Sequence, residues 1–180
     1  MIAAWVGDEP ITVAQVEERL AGLYSGSAGA RLPHPATAEG RNLRRWLVQL
    51  MAANAVVSQD FAEPPLVEPP PVEPPALARA LRLGGVAAAV VAARPDVYAS
   101  VTAGVTVADA EVHDYWSRNR DRHSSPFAES RPAVAALLLH EARDRHFTRW
   151  LDERCAARVR LMPGFEHPGN PAQPDYTHHH

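Results

Sequence analysis

The stretch LLLHEARDRHF, residues 137–147, places His140 and Asp144 four residues apart in an otherwise apolar row. On a helix such positions share one face, a turn apart. An aspartate beside an imidazole fixes its tautomer and raises its basicity, which a general base requires. The same pair can equally be a core hydrogen bond without chemistry, because buried polar groups find partners wherever they occur. His140 is thus a candidate general base and Asp144 its orienter. Asn54, the polar member of a second apolar stripe, becomes a third member if the two helices pack face to face. The segment HEARD invites comparison with H-E-x-x-H, but position 144 is Asp and no third ligand follows at the family spacing, so a zinc-protease reading fails.

A second concentration of reactive side chains lies in GFEHPGNPAQPDYTHHH, the end of the sequence. Glu166, His167, Asp175 and His178 are candidate ligands for a divalent metal, with His179 and His180 beside them. Pro168, Pro171 and Pro174 stiffen this arm. It is therefore a metal site, a lid over a pocket, or an arm lying along the surface. Cys155, the one cysteine, permits a thiol nucleophile but cannot form an internal disulfide. A lone cysteine on a helix is more often packed and inert.

These residues need elements to position them. Thr12-Val-Ala-Gln15 is a capping box, with Ile11 set to staple onto Val16, so a helix opens at Thr12 and ends near Tyr24. A longer helix is expected from Thr37 to Phe61, with Leu43, Trp46, Leu47, Leu50, Asn54, Val57 and Phe61 on one face. The run EPPLVEPPPVEPP, residues 63–75, forbids helix and favours polyproline II, as a stiff spacer or a ligand for an aromatic groove. Short helices follow over 76–83, 86–93 and 96–102, punctuated by Gly84-Gly85 and Arg94-Pro95. Thr106-Val-Ala-Asp109 reads as a further cap, opening a helix to Asn119 with Val112, Tyr115 and Trp116 as its apolar side. The longest helix spans 127–157, with Ala133, Leu137, His140, Asp144, Phe147, Leu151 and Cys155 on one stripe and Leu139, Ala142, His146 and Trp150 opposite. A helix apolar on two sides is central and would bury the His140–Asp144 pair. Trp46, Tyr115, Trp116, Phe147 and Trp150 are the aromatic candidates for a binding surface. The segment ARVRLM alternates like a strand, expected beside residues 3–6.

Three segments together resemble a known arrangement. WVGDEPITVAQVEERL resembles the strand-turn and first helix of SurA- and PrsA-type parvulin chaperones. GVTVADAEVHDYWSRNRDRHSSP resembles the helix these proteins place before their parvulin domain, and FAESRPAVAALLLHEARDRHFTRWLDERCAARVRLM the helix and strand that return after it. Here the second and third segments join directly at Ser125-Pro126-Phe127, and no stretch resembles the isomerase signatures. The resemblance implies a helical module that cradles unfolded polypeptide, and it carries no catalytic residue over. The 63–75 insert and the residues after Met162 depart from the family pattern.

Composition sets the outer bounds. With 180 residues, 46% of them hydrophobic, one core is expected. All 18 basic residues are arginine, and the net charge of −3 gives no electrostatic case for nucleic acid or an anionic membrane. The first residues lack a basic stretch, and Asp8 and Glu9 interrupt their apolar run, unlike a signal peptide. No apolar run approaches the ~20 residues of a membrane helix. The expectation is therefore a cytoplasmic, all-α protein: one SurA-like helical domain over residues 1–162, a small two-stranded pairing of its ends, and an arm over 163–180. Its partner is a peptide, a protein or a small apolar molecule. The competing reading is a small enzyme of specialised metabolism on the same scaffold, with the His140–Asp144 pair as general base and the tail as lid or metal site.

Overall fold

A computed structural model describes residues 1–27, 29–61 and 77–166. The proline-rich stretch 63–75 and the arm beyond Glu166 lie outside the described residues. The chain is mostly helical with one small antiparallel sheet, and its described residues fall into two compact units. The first comprises residues 1–61 and 152–166, and the second residues 77–151.

The first unit begins with β1 (Ile2–Val6) and β2 (Glu9–Thr12), an antiparallel hairpin in which Val6 faces Glu9 across Gly7 and Asp8. Gly7 takes φ +58°, the left-handed value that two-residue hairpin turns demand and glycine adopts without strain. Pro10 cannot donate to a ladder, and β2 tolerates it because it is an edge strand: the order is β2-β1-β3. A register irregularity between Ile2 and Ala4 lets both Ala3 and Ala4 be buried. The expected two-stranded pairing is thus one half of a three-stranded sheet. Residues 9–12 are extended because of their partner strand, not because of their own weak alternation.

Helix α1 (Val13–Ser25) opens on the capping box read from sequence: the Gln15 amide donates to Thr12 Oγ1 (3.3 Å) and the Thr12 amide to Gln15 Oε1 (2.8 Å). Helix α2 (Ala38–Asp60) is capped by Thr37, whose Oγ1 accepts from the Gly40 amide at 3.1 Å. Its buried face is Leu47, Val48, Ala52, Ala53, Val56 and Val57, rotated from the expected stripe, so Leu50 and Asn54 are only half-buried. Ile11, Val16, Leu20, Leu47, Val48, Val56 and the small Ala3, Ala4 and Ala52 form one core, sealed by Phe165.

In the second unit, α3 (Leu77–Leu83), α4 (Gly85–Ala93) and α5 (Pro95–Thr102) follow in quick succession. Gly84, at φ +78°, makes the break between the first two. Helix α6 (Asp109–Arg118) starts two residues later than the Thr106 cap predicts. Its N-cap is Ala108, whose amide donates to Glu111 Oε2 at 2.9 Å, so the reciprocal half of a capping box decides the boundary.

Helix α7 (Phe127–Arg158) supplies residues to both units and leads into β3 (Val159–Leu161), which pairs with residues 4–6 as expected. Its buried line is Val134, Asp144, Phe147 and Leu151. Ala133 and Leu137 are exposed, Leu137 by 42%, and His146 is exposed on the other side. The expectation of a helix enclosed on two sides is corrected: one face is covered, and only from Asp144 onward is that cover continuous. Among the described residues no helix is long and apolar enough to cross a membrane.

Candidate functional site

Two features of the second unit carry its polar chemistry. The first is centred on Asp144, 1% exposed. A buried carboxylate is costly unless paired and hydrogen-bonded, and here the partners come from three helices. Arg79 on α3 donates through Nε (3.3 Å to each oxygen) and Nη2 (3.1 Å to Oδ1). Tyr98 on α5 donates its hydroxyl to Oδ1 at 2.8 Å. Arg82 Nη2 stands 3.5 Å from Oδ2, and His140 Nε2, one turn before Asp144 on α7, stands 3.6 Å from the same oxygen. Arg79 also lies over the Tyr98 ring at 5.2 Å, and that ring packs on Phe147 at 5.4 Å.

The electrostatics follow from that packing. Desolvation opposes the Arg79 charge, but the hydrogen bonds and charge of Asp144 outweigh it and hold the guanidinium above its ordinary range. Burial, then the Asp144 hydrogen bond and charge, push the Tyr98 phenol up, with Arg79 pulling part of the way back. Asp144 is thus an acceptor already engaged by Arg79 and Tyr98. The His140 contact at 3.6 Å is longer than a hydrogen bond, and the imidazole side chain is 44% exposed while its neighbour is enclosed. An orienter holds its histidine through a short bond; this carboxylate spends its short bonds elsewhere.

The second feature is an open groove of about 460 Å³. From α6 it takes Glu111, Asp114, Tyr115 and Arg118 at i, i+3, i+4 and i+7, and from α7 Leu138, Ala142 and Arg145 at i, i+4 and i+7. Thr106, Val107 and Asn119 complete it. Val107, Tyr115, Leu138 and Ala142 supply the apolar lining, and Glu111, Asp114, Arg118 and Arg145 bring charges of both signs. Asp114 is paired with Arg118 one turn on, and Arg145 stands 3.8 Å from Glu141. A smaller recess of about 200 Å³ adjoins the exposed Leu137, with Ala133, Val134, His123 and Ser130.

The remaining sequence candidates are distributed. Asn54 is half-buried on α2 in the first unit, whereas every partner of Asp144 named above belongs to the second. Trp46 packs against the first unit's core. Phe147 is fully buried and stacks on Trp150 at 5.6 Å, so it offers packing, not surface. Trp116 sits against Phe127 and under Arg120, with its indole N–H buried and without an acceptor among the described residues. Of the aromatic candidates, Tyr115 is the one in the groove. Glu166 is described; His167, Asp175 and His178 lie outside the described residues. Among the described residues no group of three or more His, Cys, Asp or Glu side chains could hold a metal ion. Cys155 packs against the first unit's core, and burial followed by the charge of Asp152 pushes its thiol up to about 11.

Sequence reasoning missed Arg79, Arg82 and Tyr98. The available signal was the spacing of the two arginines, i and i+3 on the short apolar helix LARALRL, which sets both on one face.

Comparison with known proteins adds one match. Residues 2–39 fit the model of a family of unknown function, DUF7158. That stretch spans β1, β2, α1 and the first residues of α2. No curated protein and no solved structure matches the chain.

Proposed function

We propose that this chain is a binding module that holds a short segment of a peptide or protein partner, on a helical scaffold of the SurA and PrsA kind from which the parvulin domain is missing. The observation that carries this reading is the groove between α6 and α7. About 460 Å³ falls within the ~300–1,000 Å³ of typical ligand clefts, and two helices lining it at helical repeat spacing give a trough rather than an enclosed chamber. Its apolar lining suits one or two aliphatic or aromatic side chains of the partner, and its mixed-sign charges suit polar residues flanking them. The resemblance of residues 5–20, 104–126 and 127–162 to the chaperone family supports the same reading. The engagement of Asp144 by Arg79 and Tyr98 leaves the general-base alternative with less support than the groove has.

The test is fluorescence anisotropy of the purified protein with a panel of labelled peptides rich in aromatic and aliphatic residues, and with a reduced, unfolded reporter protein. Binding is expected to weaken about tenfold in Tyr115→Ala and more in Leu138→Glu, since truncating a central apolar contact typically costs about 1–2 kcal/mol. Loss of binding in neither variant, with both still folded by circular dichroism, would sink the reading.

A further inference from the structure

The groove of the second unit has a third wall besides α6 and α7. Residues 105–108, with the sequence VTVA, lead into α6 and belong to neither helix nor sheet. Three β-branched residues in a row favour extended backbone, since branching at Cβ crowds a helical turn. Ala108, at the end of the run, has φ −76° and ψ 146°. Burial alternates along it: Val105 and Val107 are half-buried, Thr106 and Ala108 exposed, which is the two-residue period of a strand. The Val105 amide is engaged by the Thr102 carbonyl at 3.1 Å and the Ala108 amide by Glu111 Oε2 at 2.9 Å. The Ala108 carbonyl accepts from the Glu111 and Val112 amides at 3.0 and 3.2 Å. Between them, the amides and carbonyls of Thr106 and Val107 make no hydrogen bond among the described residues, and both residues line the groove. The groove's charges, by contrast, are engaged and balanced. Asp114 pairs with Arg118, Arg145 stands 3.8 Å from Glu141, and Glu111 holds the Ala108 amide, so two carboxylates face two guanidiniums in the lining.

We propose that the partner enters this groove as an extended, uncharged strand that pairs with the backbone of Thr106 and Val107. The inference rests on the groove reading above and adds the partner's conformation to it. Extended backbone with its donors and acceptors open is the template on which a further strand assembles. An extended residue presents its N–H and C=O on one side, so a partner residue beside Thr106 or Val107 can exchange two bonds with it. The partner's side chains then point alternately toward and away from Val107, Tyr115, Leu138 and Ala142. A helical partner fits less well. Its own backbone is already bonded internally, so it would cover the Thr106 and Val107 groups without replacing the water bonds it removes. Balanced charge in the lining likewise matches a segment with no charge where it sits, and the apolar wall asks for an apolar residue at every second position. A strand-forming stretch of an unfolded or unassembled chain has this chemistry.

The experiment is fluorescence anisotropy of the full chain with the labelled peptide SLTVTFTS, which carries no charged side chain. Three further copies are N-methylated singly, at the valine or at either neighbouring threonine. A methylated amide cannot donate, and along one edge of a strand only alternate residues pair. Either the valine variant or the two threonine variants should therefore lose about tenfold in affinity, and the others less than about twofold. Tyr115→Ala should weaken the parent peptide about tenfold, and the Thr106 or Val107 amide should exchange hydrogen at least about fivefold more slowly in the complex. Binding that Tyr115→Ala weakens but methylation leaves unchanged, or weakens equally at all three positions, overturns the strand pairing and leaves the groove reading standing. So does failure of this peptide to bind where a helical peptide binds. If neither peptide binds, the groove reading falls and the strand pairing falls with it.

Discussion

At the scale of single residues, Asp144 is the position on which most depends. In LLLHEARDRHF it is legible as a polar residue in an apolar row, with His140 as its expected partner. The short bonds go instead to Arg79 and Tyr98, because an enclosed carboxylate needs several donors and residues from other helices can reach both oxygens. Removing a partner leaves a charge buried and underpaired. Arg79→Ala is expected to cost about 3 kcal/mol in urea unfolding, and Tyr98→Phe, which deletes one bond to a charged acceptor, about 2 kcal/mol. The raised phenol has a consequence with a definite sign. Its contribution to stability is complete below the unfolded tyrosine pKa and is lost as pH rises through the higher folded value. Stability should therefore fall with alkaline pH less steeply in Tyr98→Phe than in wild type. Cys155 offers an independent check: with its thiol near 11, about one molecule in a thousand is thiolate at pH 8. Its reaction with a disulfide reagent should be slow until denaturant is added, and rapid labelling of the folded chain would contradict the packed environment.

At the scale of elements, local chemistry placed most boundaries and tertiary partners moved the rest. The Thr12 box and the Thr37 cap stand where their residue types put them. The Thr106 cap does not, since Glu111 reaches back to Ala108 and Asp109 is engaged by Arg131 at 2.7 Å. Gly40 shows how packing reverses a propensity. Alanine is ordinarily the better helix former by about 1 kcal/mol. Here an added Cβ would press on the His34 carbonyl and stand 2.8 Å from Pro35 Cα, both backbone atoms unable to rotate away. Gly40→Ala is therefore expected to lower stability by about 1–3 kcal/mol, measured by thermal melting. A rise in melting temperature would mean that the 34–37 turn yields more easily than its contacts imply.

At the scale of the whole molecule, the two units are held together internally by different means. The first has a sheet, two capped helices and a continuous apolar core. The second also buries apolar residues, among them Val90, Val97, Val112, Phe147 and Leu151, and adds long side chains to them: the Asp144 cluster, Arg131 on Asp109, and Trp116 against Phe127. Helix α6 buries Val112 alone of its residues, and few buried apolar contacts make local opening of a helix cheap. Amides of β1 and the middle of α2 should exchange hydrogen at least tenfold more slowly than those of α3 and α6, and equal protection would show that the polar contacts stiffen the second unit as well as a core does.

What the sequence determined by itself was local. Capping residues, glycine breaks and apolar spacing follow from bonds within a few residues, so the helices, the strand character of residues 159–161 and the candidacy of Asp144 could be read directly. Which side of a helix is covered, and by what, is a matter of partners distant along the chain. That is why the α2 stripe was rotated, why Leu137 is exposed, why Asn54 and Asp144 fall in different units, and why Arg79, Arg82 and Tyr98 emerged only from the structure. A charged side chain reports its charge in the sequence, but only tertiary contact reports whose charge it meets.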